Sequence, residues 1–141
     1  SDARQRDTAH RHSRLFPDLA CNPQHRRLAG AGISVTKGAA IINIGAASAL
    51  VADYGMGAYA ASKSAVHRLT ESLAAELTST DCTVNAVLPS IIDTPVNRAN
   101  MPNADFTHWV KPDTLAEVIL FLASPAARAI TGALIPVSRG I

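Results

Sequence analysis

Residues 57–66 read GAYAASKSAV, with a tyrosine four residues ahead of a lysine at the opening of an apolar-periodic run. On a helix, side chains at i and i+4 stand one above the other, so the spacing predicts that Tyr59 and Lys63 share a face. A neighbouring ammonium favours phenolate over phenol, which is what a tyrosine needs to exchange protons near neutral pH. Upstream, residues 39–44 (AAIINI) form a β-branched run closed by Gly45, suited to a strand buried on both faces. Downstream, residues 82–88 (CTVNAVL) predict a second buried strand stopped by Pro89. Between them a helix is expected over 58–77, with Ala65, Leu69, Leu73 and Leu77 as its apolar stripe. Strand, crossover helix and strand make a βαβ unit, hence an α/β fold with a parallel, Rossmann-like sheet.

The rest of the chain is read around this unit. Residues 89–112 are expected to be a long polar loop, which at that length indicates a lid or binding loop. A helix is expected over 114–123 and a last strand over 133–137. The composition changes near residue 38, so the expected division is an irregular, Arg/His/Pro-rich arm over 1–37 and one folded region over 38–141. Within the arm, only residues 13–19 have a pattern compatible with a turn or two of helix.

With 141 residues, 48% apolar and 17% charged, the chain has the composition of an ordinary globular domain. The net charge is +2, and Arg4, Arg6, Arg11, Arg14, Arg26 and Arg27 concentrate the basic character in the arm. Asp2 and Asp7 interrupt its first basic stretch, and no aromatic residue interleaves in RQRDTAHRHSR (residues 4–14), so nucleic acid is not expected as a partner. No run reaches the length of a membrane span and no secretory leader pattern is present, so no membrane partner is expected. Cys21 and Cys82 form no ligand-spaced motif, which predicts neither disulfide framework nor zinc and a reducing, cytoplasmic setting. His10 and His12 have no ligand partners at suitable spacing, and no metal is expected.

Tyr-x-x-x-Lys alone is a weak motif, but here it follows a buried strand and a Gly-rich loop at the carboxyl end of a parallel sheet, where α/β folds place ligands. Together with IINIG, TVNAVLP, Asp93-Thr94-Pro95 and ITGALIPV, it resembles the C-terminal half of the short-chain dehydrogenase/reductases, which use NAD or NADP. The resemblance implies that Tyr59 is the proton donor or acceptor. It also implies that Lys63 holds the nicotinamide ribose and tunes the tyrosine. The segment from Pro89 through Ile91 and Ile92 to Thr94 would line the nicotinamide, with Asn85 as structural filler in its strand. The loop IDTPVNRANMPNADFTHW is further similar to that of dihydropteridine reductases, which places Asn97, Arg98, Met101, Phe106 and Trp109 on the substrate-side lid.

Two departures from the family pattern stand out. Ala46 occupies the usual position of a catalytic serine, thirteen residues before Tyr59, and Ser48 on the same loop is the candidate substitute on the substrate side. The family's Gly-rich pyrophosphate turn and Asn-Ala-Gly strand are absent; Gly30-Ala-Gly32 reads as a loop, and Asn22 is no secure counterpart of the family's helix asparagine. The expectation is therefore a truncated chain lacking the N-terminal dinucleotide-binding half. Such a chain would act on a small-molecule substrate and associate with a second copy through the helix over 59–77 or through its sheet edge. The alternative is a non-catalytic remnant serving as an interaction or dimerisation module.

Overall fold

The computed structural model describes residues 37–139. The readings made for the arm, His10, His12, Cys21, Asn22, Gly30-Ala-Gly32 and residues 13–19 lie outside the described residues.

Three parallel strands, β1 (Ala40–Ile44), β2 (Thr83–Pro89) and β3 (Leu134–Val137), hydrogen-bond in the order β1-β2-β3. Helix α1 (Gly57–Glu76) connects β1 to β2, and α2 (Pro95–Asn100) and α3 (Pro112–Ala123) lie between β2 and β3. Successive strand residues point to opposite faces. Asn43 reaches Thr70 of α1, while its neighbour Ile42 packs on the cluster that contains Leu115 and Leu122 of α3, so α1 and α3 cover opposite faces of the sheet. This three-layer arrangement is the α/β class expected.

Every residue of β2 is buried, as a central strand requires. β1, expected to be covered on both faces, is only half-buried, because among the described residues it has β2 alone as a neighbour and its end opens onto a cleft. Pro89 does not stop β2 but ends it from within. β1 has already ended at this level, and the β3 side is bonded through the Ser90 N–H to the Val137 carbonyl (3.0 Å), so the missing proline N–H costs no ladder bond.

The helical stripe also needs correction. Leu73 and Leu77 are buried, but Ala65 and Leu69 face outward; the inward face instead carries Ala60, His67, Thr70 and Ala74. Nor is 89–112 a plain loop. Thr94 Oγ1 accepts from the Asn97 N–H (3.2 Å) and Pro95 takes the first turn, so Thr-Pro starts α2. A parallel bridge between Ile92 and Val110, with Val110 N–H on the Ile91 carbonyl (2.9 Å), draws the two ends of this segment together. Asn85 is indeed built into its strand: it is 1% exposed, donates to the Ile130 carbonyl (2.8 Å) and accepts from the Ala133 N–H (3.0 Å).

Candidate active site

The carboxyl ends of β1 and β2 open into a cleft of about 590 Å³. Tyr59 and Lys63 both line it from the first turns of α1. That helix is entered through Gly55, whose φ of +77° makes a turn that L side chains resist. The cleft also receives Ser48, on a 3-10 turn (Ala47–Ala49) tied to α1 by the Ser64 hydroxyl donating to the Ala49 carbonyl (3.1 Å). Pro89, Ile91 and Ile92 form its β2 side, and Asn97 and Met101 come from α2 and its end.

Four of the expected residues, Thr94, Arg98, Phe106 and Trp109, are not brought to this cleft. Trp109 is 5% exposed, and its indole packs on Phe106 with ring centroids 4.6 Å apart. It is a hydrophobic anchor for the 93–109 segment, because its apolar area gains more from burial than from solvent contact. Thr94 spends its hydroxyl capping α2. Arg98 and Phe106 are likewise turned to each other, with the guanidinium 4.7 Å above the ring. Arg98 also grips Asp93 through two hydrogen bonds (2.6 and 2.8 Å), and that grip holds the Asp93 carboxyl below its ordinary range. The Asn97 amide donates to the Ile92 carbonyl (2.7 Å), fixing α2 against the cleft wall.

The Lys63 ammonium donates to the Ile44 carbonyl (3.1 Å), so the end of β1 anchors this cation beside Tyr59 one helical turn away. Ala46 is buried, and its N–H, not a side chain, is its functional group: it donates to Nε2 of His67 at 3.3 Å. Sequence reasoning missed His67 as well as Asp53, which also lines the cleft. The signal for His67 was available, since Tyr59, Lys63 and His67 continue one i, i+4, i+8 row.

Gly45 is required by contact: a Cβ there would meet His67 Nε2 at 2.5 Å and Leu88 Cδ1 at 3.2 Å. Gly45→Ala is therefore expected to lower stability by about 1–3 kcal/mol, the usual range for overpacking. Urea denaturation checks this: a midpoint equal to that of the unsubstituted chain would show that the ring yields freely.

The cleft's chemistry fits one end of a dinucleotide. Ile44, Ile91 and Ile92 offer an apolar wall for a flat ring, and the Lys63 ammonium and Tyr59 hydroxyl are suited to ribose hydroxyls and a reacting carbonyl. Among the described residues no three of His, Cys, Asp and Glu are grouped as metal ligands, and no helix is long and apolar enough to cross a membrane.

Residues 25–141 match the family model described as enoyl-(acyl carrier protein) reductase. Galactitol 2-dehydrogenase of Rhizobium johnstonii is 39% identical over 120 residues, covering 77% of this chain and 46% of that protein. A 3-oxoacyl-[acyl-carrier-protein] reductase of Pseudomonas aeruginosa is 34% identical over 119 residues, covering 78% of this chain and 48% of its own length. Among solved structures, a short chain dehydrogenase from Burkholderia cenocepacia in complex with NADP superposes with a TM-score of 0.65 at 30% identity, covering 79% of this chain and 49% of that one. The chain thus spans about half the length of the curated relatives it matches. The family match, these identities and the superposition of the parallel α/β fold establish that this chain belongs to the short-chain dehydrogenase/reductase family.

Proposed function

We propose that this chain supplies the catalytic half of an NAD- or NADP-dependent oxidoreductase acting on a small carbonyl or pterin-like substrate. The observation that carries the reading is the convergence of Tyr59 and Lys63 on one cleft, with the Lys63 ammonium fixed on the Ile44 carbonyl. When bound, the nicotinamide supplies or accepts the hydride. Tyr59 delivers the proton to the substrate oxygen or nitrogen, and Lys63 binds ribose hydroxyls while keeping a positive charge beside the phenol. Ile91 and Ile92 orient the ring, and Pro89 sets the direction of that segment. Ser48 contributes a hydroxyl where Ala46 has none, and Asn97 and Met101 form the substrate-side wall. The pterin-like option rests on the resemblance of residues 92–109 to the dihydropteridine reductase loop, read from the sequence alone, and the galactitol dehydrogenase and 3-oxoacyl-[acyl-carrier-protein] reductase relatives favour the carbonyl option instead. Association of two copies through α1 is supported by the outward position of Ala65 and of Leu69, which is 44% exposed.

The test is a titration of the chain with NADH and NADPH, followed by nicotinamide fluorescence. Saturable binding is expected. Lys63→Met should weaken it by about 10- to 100-fold, the loss of charge-assisted hydrogen bonds. Absence of saturation up to millimolar cofactor, in a folded sample, would overturn the reading and leave an interaction module in its place.

A further inference from the structure

Three consecutive turns of α1 are stitched to the end of β1 by polar side chains. Lys63 donates to the Ile44 carbonyl (3.1 Å), His67 accepts from the Ala46 N–H (3.3 Å), and Thr70 accepts from the Asn43 side-chain amide (2.9 Å) while donating to the Val66 carbonyl (2.8 Å). The middle stitch differs from its neighbours. His67 is 2% exposed, and its ring fills the space that a side chain at position 45 would occupy. A buried imidazole accepting from a backbone N–H must be unprotonated at that nitrogen; a second proton would place two donors face to face.

We propose that His67 is a positioning residue for the cleft: as a neutral imidazole it fixes the extended Gly45–Ala46 segment, and through it the Ile44 carbonyl that holds the Lys63 ammonium. Gly45 is pinned from the other side by its N–H on the Val87 carbonyl (2.8 Å), so the segment has little freedom once His67 is seated. Burial, then the Arg68 cation, holds the imidazole below its ordinary 6.5; Glu71 opposes and Lys63 adds to the lowering. These charged groups all belong to α1, and the groups that meet the ring beyond β1 are the Ala46 N–H and the Gly45 backbone, neither of them charged.

The pH consequence has a definite sign. Between the lowered folded-state value and 6.5 the unfolded chain binds more protons than the folded one, so stability falls as the pH falls through that window. The contribution is fully present above 6.5. The Lys63 contact should loosen at the lower edge of that window, where the folded imidazole itself takes up a proton.

The inference leans on the oxidoreductase reading only for what the positioned ammonium does; the coupling itself is a property of the free chain. It is tested by NMR of the full chain without ligand, following the Ala46 amide, the His67 ring and the Lys63 ammonium against pH. All three should move with one midpoint. His67→Leu should speed exchange of the Ala46 amide by about tenfold or more, and His67→Gln, which keeps an acceptor, should restore most of the protection. An Ala46 amide and a Lys63 ammonium that ignore the His67 titration would overturn the proposal, as would equal exchange in the Leu variant and the unsubstituted chain. If His67→Leu does not fold, the pH titration of the unsubstituted chain decides alone. If the chain binds no nicotinamide cofactor, the oxidoreductase reading fails while these shifts still decide this one.

Discussion

Tyr59→Phe is expected to lower turnover by about 10²- to 10⁴-fold, the range for removing a positioned acid or base, while cofactor affinity changes only a few-fold. The phenol lines the cleft one helical turn from Lys63, where it can give and take a proton near that cation. Phenylalanine keeps the ring, and with Tyr59 46% exposed its hydroxyl carries little of the fold. The split is the diagnostic part. A loss of binding equal to the loss of turnover would make Tyr59 a binding group, whereas unchanged turnover would remove it from the chemistry. The measurement pairs the fluorescence titration with steady-state reduction of a quinonoid dihydropterin and of a simple ketone.

Asn85→Ala is the substitution expected to cost most in stability, about 2–4 kcal/mol, because it leaves two part-buried backbone groups without their partner. The Asn85 amide ties β2 to the Ile130 carbonyl and the Ala133 N–H on the approach to β3, a connection far away in sequence. The side chain that is lost is itself 1% exposed. Asn85→Asp should be no milder: it keeps the acceptor for Ala133 but turns an acceptor towards the Ile130 carbonyl. Urea unfolding of both variants checks this, and a midpoint shift corresponding to less than about 1 kcal/mol at unchanged slope would show that the pair contributes little.

How much of this was legible in the sequence depends on the range of the interaction. β2 and the α1 helix follow from local β-branched runs and a long helical period, and Tyr59 and Lys63 meet in the cleft because i, i+4 geometry is local. The apolar stripe failed at Ala65 and Leu69 because the buried row of α1 contains His67 and Thr70, polar residues whose partners lie just beyond the end of β1 and on β1 itself. A search for hydrophobic residues passes over such positions. Trp109 was expected on the substrate side because the resemblance of its loop to that of dihydropteridine reductases placed it there. Its position is set by Phe106 and by the Ile92–Val110 bridge, neither of which periodicity reveals. The Thr94-Pro95 start of α2 was readable as a cap followed by a first-turn proline, and was submerged in a segment that had the length of a loop.

The bridge between Ile92 and Val110 has an evolutionary consequence. It turns the segment between them into a closed cassette, clasped internally by Asp93 with Arg98 and by Phe106 with Trp109. Because closing a loop costs only slowly more as it lengthens, the cassette can be lengthened, shortened or exchanged at little expense to the sheet. The wall that carries Tyr59 and Lys63 rests on α1, while Ile92, Asn97 and Met101 of the opposite wall belong to this insert, so the insert can change what enters the cleft without disturbing Tyr59 and Lys63.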